Sequence, residues 1–570
     1  MCNVQNNKVV VKVKRMGGGF GGKETRSVQL SSILALAAQK TKRPVRAMLT
    51  REEDMVTSGQ RHPFMGKWKI GVNKDGKIQA LDLDIYNNGG WCWDLSAAVC
   101  ERAMTHSDGC YLIPNMHVRG RICKTNTMSN TAFRGFGGPQ GMFIAETYME
   151  EVADRLGMSV EQFRAINMYK PGETTHFNQP ITDWHVPLMY QQVQDESDYA
   201  ARREAITKFN ATHKWRKRGL SLIPTKFGIS FTALWFNQAG ALVHIYHDGS
   251  VLVAHGGTEM GQGLHTKMTM IAAQSLNIPM EDVFISETAT NTVANASATA
   301  ASASSDLNGY AIHNACEQLN ARLAPYRAKL GPTAPLKDLA HAAYHDRVNL
   351  SAQGFYKTPE IGYDWTTNSG KMFFYFTQGV TAAEVEIDTL TGTSTTLRAD
   401  IKMDVGRSIN PAIDYGQIQG AFIQGVGLFT MEESLWLRHN GNLFTRGPGA
   451  YKIPSFRDIP QQWNVSLLKD VEWEDLRTIQ RSRGVGEPPL FMGSAVFFAM
   501  RDALKAARGE YGVKATVGVD DGGDGLLRLR SPATVERVRM ECCDGIVERA
   551  KVEAKKTEGG GEEKGFFIAI

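Results

Sequence analysis

Near the start of the chain Val9, Val11 and Val13 alternate with Lys12 and Lys14. That period of two predicts a strand over 9–13, and it runs directly into GGGFGG at 17–22. The next segment, SVQLSSILALAAQKTKRP, carries an apolar stripe at helical spacing and predicts a helix that Pro44 stops. Three pairs of alternating runs flank the turns Asp75-Gly76, Asp248-Gly249 and Thr391-Gly392, and each predicts a β-hairpin. Helical periodicity returns in GPQGMFIAETYMEEVADRLG, LHTKMTMIAAQSLN and GSAVFFAMRDALKAARGEYG. Strands and helices mix without a strict βαβ rhythm, which predicts an α+β fold. The polar stretch at about 170–197 is the best internal boundary, and from about 545 the charge-rich VERAKVEAKKTEGGGEEKG reads as a solvated tail.

At 570 residues the chain has room for roughly three or four domains. Its 64 Lys and Arg against 59 Asp and Glu give a formal charge of +5, well mixed along the sequence, which argues against a nucleic-acid partner. The opening residues lack the apolar core of a secretory signal, and no run approaches ~18 apolar residues. The expectation is a cytoplasmic chain that does not enter a membrane. Eight cysteines contain no C-x-x-C and no iron-sulfur or structural zinc spacing, so they read as reduced. His244 and His247, three apart in a predicted strand, face opposite sides and read as structural.

Glycine changes the picture, because 56 residues of this type gather into a few short clusters. Gly17, Gly19 and Gly22 satisfy G-x-G-x-x-G between a strand and a helix. A dinucleotide site also wants an acidic residue ~20 positions later, where this chain has QKTKRPVR, so that reading fails. What remains is backbone that a ligand can approach closely, beside a helix N-terminus that favours an anion. Three more clusters follow, FRGFGGPQ at 133–140, HGGTEMGQGLH at 255–265 and RGVGEPPLF at 483–491. Each carries a charged, amide or aromatic side chain among its glycines, which points to loops converging on a large polar cofactor.

GGGFGGKETRS, KTNTMSNTAFRGFGGPQ, PTKFGISFTALWFNQAGALVHIYHDGSVLVAHGGTEMGQGLHTKM and GVGEPPLF together resemble the molybdopterin-binding region of the xanthine dehydrogenase/xanthine oxidase family of molybdenum hydroxylases. The resemblance extends from near Asn7 to about residue 540. It implies a two-lobed α+β architecture: a first molybdopterin-binding domain over 1–175, lacking its amino-terminal part, a connector over 176–197 and a second domain over 198–510. A carboxyl-terminal extension with a charged tail covers 511–570. It also implies a molybdenum-molybdopterin cofactor with no side-chain metal ligand. The backbone of Phe20, Arg134 and Ala301 would lie beside the molybdenum, and Gln262 would hydrogen-bond the pterin.

Glu487, flanked by glycine and followed by two prolines, matches the family's general base; burial is the means by which a Glu reaches a useful pKa. Glu24 and Arg102 match a substrate-recognition pair, Phe136 and Phe231 two rings that sandwich a flat substrate, Thr232 a donor to it and Leu95 a channel wall. The implied reaction is hydroxylation of a purine, hypoxanthine to xanthine to urate. Alternatives are an aldehyde or nicotinate hydroxylase on the same scaffold, or a non-catalytic remnant that folds or dimerises only. A glutamine-bearing motif of the family would precede Met1, and the FAD and 2Fe-2S domains of the full-length family have no site here. The expected partners are therefore a small-molecule purine, a second copy in a homodimer if the protein is complete, and possible separate chains carrying the iron-sulfur and flavin domains. By itself the chain is not expected to sustain NAD⁺-linked turnover.

Overall fold

Two strands, Arg216–Ile229 and Tyr375–Asp388, are buried along nearly their whole length because both faces of their sheet are covered. They pair antiparallel from Tyr375 opposite Ile229 to Asp388 opposite Arg216. Strands Ser394–Asp404 and Gln462–Leu467 complete the sheet on the far side of Tyr375–Asp388. The computed structural model describes residues 2–473, 476–511, 527, 529–550 and 567–569.

The sheet separates two hydrophobic cores. Leu220, Leu222, Val380 and Ala382 join one core with Ile85, Tyr148 and Phe163, whereas Ile223, Phe227, Ala383 and Val385 join the other with Ile271, Leu319 and Phe498. Helix Ser494–Glu510 lies close on this sheet because small residues meet there. Ser221 Oγ donates to the Ala495 carbonyl at 2.7 Å, and a Cβ on Gly219 would collide with the Ala499 carbonyl oxygen. A three-stranded sheet, Phe64–Val72, Ile78–Gly90 and Asn115–Lys124, backs the first core. A four-stranded sheet containing Gln238–Ile245 and Val251–His255 backs the second, with helices Leu264–Leu276 and Ser304–Leu330 packed around it.

All three hairpin turns expected from the sequence are present, each joining the strands expected to pair. The expected strand over 9–13 shrinks to Lys12–Val13, which pairs with Thr288 and Ala289. Val9, Val10 and Val11 stay exposed, so their alternation has no core to face. The expected helix forms over Ser27–Thr41, but none of its residues is buried, and Val28 and Ile33 are 60% and 66% exposed. An apolar stripe thus predicts a helix correctly while leaving open what it packs against.

The polar stretch at 170–197 packs into the first core. Trp184 donates to the Tyr169 carbonyl at 2.7 Å, and helix Val186–Glu196 buries Val186, Met189, Tyr190 and Val193 in the first core. Most of the charge-rich tail lies outside the described residues. The part that precedes it does not behave as a tail: helix Val535–Glu541 buries Val538, and Arg508 Nε donates to the Glu541 carbonyl at 2.9 Å. All eight cysteines are free, and among the described residues no helix is long and apolar enough to cross a membrane.

A buried charge network ties the first core to helix Ser494–Glu510. Arg164 bonds Glu146 at 2.8 Å and Glu150 at 2.9 Å, and Arg501 bonds Glu150 at 2.7 Å. Removing one member of such a network strands a buried charge, which typically costs about 3–5 kcal/mol. Arg164→Ala is therefore expected to lower the unfolding free energy measured by urea titration by an amount in that range, with a matching fall in the midpoint. Arg164→Met with Glu146→Gln should recover a large part of the loss, since Glu150 keeps Arg501. Equal midpoints for Arg164→Ala and the parent would show that this network contributes nothing to stability.

Candidate functional site

Four glycine loops, distant in sequence, surround one cavity of about 740 Å³. They are the loops at 17–24, 132–136, 258–262 and 482–487, joined by segment 298–306 and one face of helix Pro411–Thr430. Backbone contact holds them together. Met16 N donates to the Glu259 carbonyl at 2.9 Å, and a Cβ on Gly21, whose φ is +95°, would collide with the Ala132 carbonyl oxygen. Only glycine permits that approach and that conformation together.

Arg134 braces the assembly. Its amide donates to the Phe20 carbonyl at 2.7 Å, and its guanidinium donates to the Gly486 carbonyl at 2.5 Å, to Gln424 Oε1 at 2.9 Å and to Gln417 Oε1 at 3.0 Å. Burial lowers its pKa to about 10, with Glu487 opposing that shift, so the group stays charged. One planar cation with several fixed donors can hold three segments in register, which Lys could not do.

Phe20, Phe136, Ala301 and Ser302 all have φ between 50° and 56°, and all four line the cavity. Non-glycine residues in the left-handed region cost of order 1–3 kcal/mol each, and such strain collects at binding and catalytic sites. Gly416 and Gly420, one turn apart on helix Pro411–Thr430, also line the cavity, and nothing lies within 4 Å of where their Cβ atoms would be. Glycine inside a helix is destabilising by roughly 0.5–1 kcal/mol relative to alanine, so an open, side-chain-free stripe facing a cavity fits a group that approaches the helix backbone. Around it stand Thr258, Thr299, Ser304, Ser305, Gln417 and Gln424. The described residues lining the cavity include no His or Cys. That donor set suits a polar organic cofactor that brings its own metal ligands.

Three carboxylates, Glu24, Asp306 and Glu487, line the same space. Glu487 Oε1 accepts from Gly135 N at 3.1 Å, and its Oε2 accepts from Ser302 Oγ at 3.0 Å. Ser302 Oγ in turn accepts from Glu487 N at 2.9 Å, so the side chain is fixed at both ends by neutral donors. The loop behind it is also pinned: Gly484 N donates to the Tyr375 hydroxyl at 2.8 Å, and that hydroxyl donates to buried Asp306 at 2.8 Å. Burial pushes the Asp306 carboxyl up to about 7. Glu24 is likewise raised to about 7, first by burial and then by the charges of Glu487 and Asp94.

The cavity brings together Phe20, Glu24, Arg134, Phe136, Gln262, Ala301 and Glu487. Gln262 folds onto its own loop, accepting from Met260 N at 2.5 Å and donating to the Thr258 carbonyl at 2.9 Å. Arg102, Phe231, Thr232 and Leu95 are not among the lining residues. Arg102 lies behind Phe136, 5.9 Å from its ring centroid, and donates to the Gly228 carbonyl at 2.8 Å and the Ser230 carbonyl at 2.5 Å. Those bonds place it directly before Phe231 and Thr232, whose segment Asn237 holds by accepting from Phe231 N at 2.9 Å. Leu95 precedes helix Ser96–Thr105, next to Asp94, which accepts from Thr25 Oγ1 at 2.8 Å. Sequence reading missed Ser302, Asp306, Tyr375, Gln417 and Gln424. For the two glutamines the signal was present, since DYGQIQGAFIQG spaces glycine and glutamine by about one helical turn.

The molybdopterin cofactor-binding domain family matches the chain twice, over residues 1–168 and 192–460. Among curated proteins, the xanthine dehydrogenase of Emericella nidulans is 71% identical over the whole chain, which spans 41% of that protein. The nicotinate hydroxylase hnxS of the same organism is 56% identical over 100% of the chain and 40% of its own length. The xanthine dehydrogenase/oxidase of Rattus norvegicus is 55% identical over 95% of the chain and 40% of its length. The chain thus spans about 40% of the length of these relatives. Among solved structures, the aldehyde oxidoreductase from Desulfovibrio gigas superposes with a TM-score of 0.81 at 25% identity, covering 95% of this chain and 55% of that one. The chain belongs to the xanthine dehydrogenase/xanthine oxidase family of molybdenum hydroxylases and carries its two molybdopterin cofactor-binding domains.

Proposed function

We propose that this chain is the molybdopterin-binding part of a purine hydroxylase that converts hypoxanthine to xanthine and xanthine to urate in the cytoplasm. Supporting this are the xanthine dehydrogenases of Emericella nidulans and Blastobotrys adeninivorans, at 71% and 58% identity across almost the whole chain. The observation that carries the proposal is Glu487, a carboxylate held at the cavity by Ser302 and Gly135 that, among the described residues, forms no salt bridge. The backbone of Phe20, Arg134 and Ala301 and the amide of Gln262 would hold the cofactor among the loops, with Gly416 and Gly420 leaving room for it. When bound, molybdopterin-held molybdenum supplies two-electron oxidation at an electron-poor carbon.

The protein's part is to bind, orient and move a proton. Glu487 would accept at a carboxylate oxygen the proton given up by the water-derived oxygen that replaces hydrogen on the substrate carbon, the two electrons going to the bound cofactor. A general base typically contributes ~10² to 10⁴ in rate. Near neutrality Glu24 is partly protonated, so it can donate to a purine ring nitrogen or carbonyl as well as accept. The family motifs assign Arg102 to negative charge on the ring, Phe136 and Phe231 to its plane, Thr232 to a hydrogen bond and Leu95 to the approach, and of these Phe136 is the one among the described residues lining the cavity. A nicotinate-type heterocycle is the second reading, favoured by 56% identity to hnxS. Assaying hypoxanthine, xanthine and nicotinate side by side with the full-length protein separates the two.

In that full-length protein Glu487→Gln is expected to retain molybdopterin but lose at least nine-tenths of turnover, given the ~10² to 10⁴ attached to a general base. Turnover above about a tenth of the parent's removes Glu487 from the role.

Arg102→Met should lower purine turnover roughly 10- to 150-fold, the equivalent of ~1.5 to 3 kcal/mol for a hydrogen bond to a charged group. Small aromatic aldehydes should be spared. An equal loss on both substrate classes would mean that Arg102 acts only by holding the Gly228 and Ser230 carbonyls.

Because the folded protein holds the Glu24 pKa above its ordinary value of 4.5, at about 7, the native state favours the protonated form. Stability is lost as pH rises through about 7. Glu24→Gln should therefore melt higher than the parent at pH values above that point, and the advantage should fade as pH falls toward 4.5. A difference independent of pH would show that Glu24 is not desolvated.

A further inference from the structure

The hairpin turn that links strands Gln238–Ile245 and Val251–His255 packs against the first turn of helix Leu336–His345. Tyr246 N donates to the Ser250 carbonyl at 2.8 Å and Gly249 N to the Tyr246 carbonyl at 2.9 Å, closing the turn. Gly249, with φ at +88°, sits so near Lys337 that a Cβ there would strike the Lys337 backbone. His247 projects from this turn, just beyond the strand's end. His341 and His345, four apart in the helix, share one face of it. Ring centroids of His247 and His341 are 4.8 Å apart, those of His341 and His345 4.6 Å, and those of His247 and His345 6.3 Å. One nitrogen from each ring lies within 4.8 Å of the others, and all three side chains are exposed.

We propose that His247, His341 and His345 form a zinc-binding site that clasps the hairpin turn to the helix. Three neutral imidazoles match a borderline transition cation and not calcium or magnesium, which take oxygen ligands. Zinc–nitrogen bonds of ~2.0 to 2.1 Å leave tetrahedral ligand atoms roughly 3.4 Å apart. The three nitrogens must therefore close by up to about 1.4 Å, which exposed imidazoles achieve by rotations about χ1 and χ2, the latter a broad torsion for histidine. Two ligands come already paired by the helix at i and i+4, the arrangement found in helical zinc motifs. The third is fixed by the close packing of Gly249 on Lys337. Water takes the fourth position. This site is separate from the glycine-loop cavity, whose described lining contains no histidine.

The test is metal titration of the full 570-residue chain, carrying no added histidine tag. Calorimetry with Zn²⁺ should give one equivalent in the parent. His247→Asn and His345→Ala should each weaken that equivalent by at least roughly 10-fold, on the scale seen when a metal site loses a supporting group. His244→Ala should leave it unchanged, because His244 lies outside the cluster with its Nδ1 2.8 Å from Ser351 Oγ. Co²⁺ should give the intense visible bands of a tetrahedral site in the parent only. Zn²⁺ should also raise the parent's melting temperature and leave that of His247→Asn unmoved. Zinc bound equally by the parent and His247→Asn, or a parent that binds no equivalent at all, overturns the proposal. The three histidines are exposed, and far-ultraviolet circular dichroism of the metal-free variants verifies that each has folded.

Discussion

The cavity depends on one buried guanidinium. Arg134 reaches the carbonyl of Gly486, the amides of Gln417 and Gln424 and, through its own backbone, the carbonyl of Phe20. Every one of these partners belongs to a different segment except the two glutamines, which share one helix. Gly135, the next residue, supplies the amide that fixes Glu487. The candidate base, the first glycine loop and the glycine-striped helix are therefore positioned by two consecutive residues. Their relative placement is a property of that brace and not of any single loop.

The rest of the site stores strain that the surrounding packing must hold. Phe20, Phe136, Ala301 and Ser302 occupy left-handed backbone, and Glu24 and Asp306 are carboxyls buried enough to be pushed up to about 7. Both features are destabilising in isolation. They persist because two cores flank a doubly buried sheet, giving the loops a rigid frame on either side. Asp306, Tyr375 and Gly484 show the coupling directly: a buried acid holds a hydroxyl, and the hydroxyl holds the loop that ends at Glu487. Preorganisation of this kind lets a catalytic group act without reorganising at the moment of reaction.

A helix or strand can be right while its environment is wrong. The alternation at Val9 to Val13 and the stripe of Ser27–Thr41 are genuine patterns, yet the structure fully buries none of those apolar side chains. Conversely, the polar stretch before Glu196 reads as an internal boundary, and Trp184 and Tyr190 anchor it in a core. Periodicity reports which face of an element is apolar, and it is silent on whether another element is there to cover that face.

By itself the sequence determined the mixed α+β class, the three hairpins, the glycine loops and the residues whose motifs mark the family, because each is written in a few adjacent positions. Turn chemistry and glycine spacing act over less than a dozen residues, so they survive without tertiary context. Only the tertiary structure decided that Glu487 is held by Ser302 from 185 positions away and that Arg134 reaches Gly486 across 352. It also decided that Arg102 stands behind Phe136, bonded to the carbonyls of Gly228 and Ser230. Hydrogen bonds, burial and shifted proton affinities depend on distances between segments, and those distances exist only once the two cores have packed against their shared sheet.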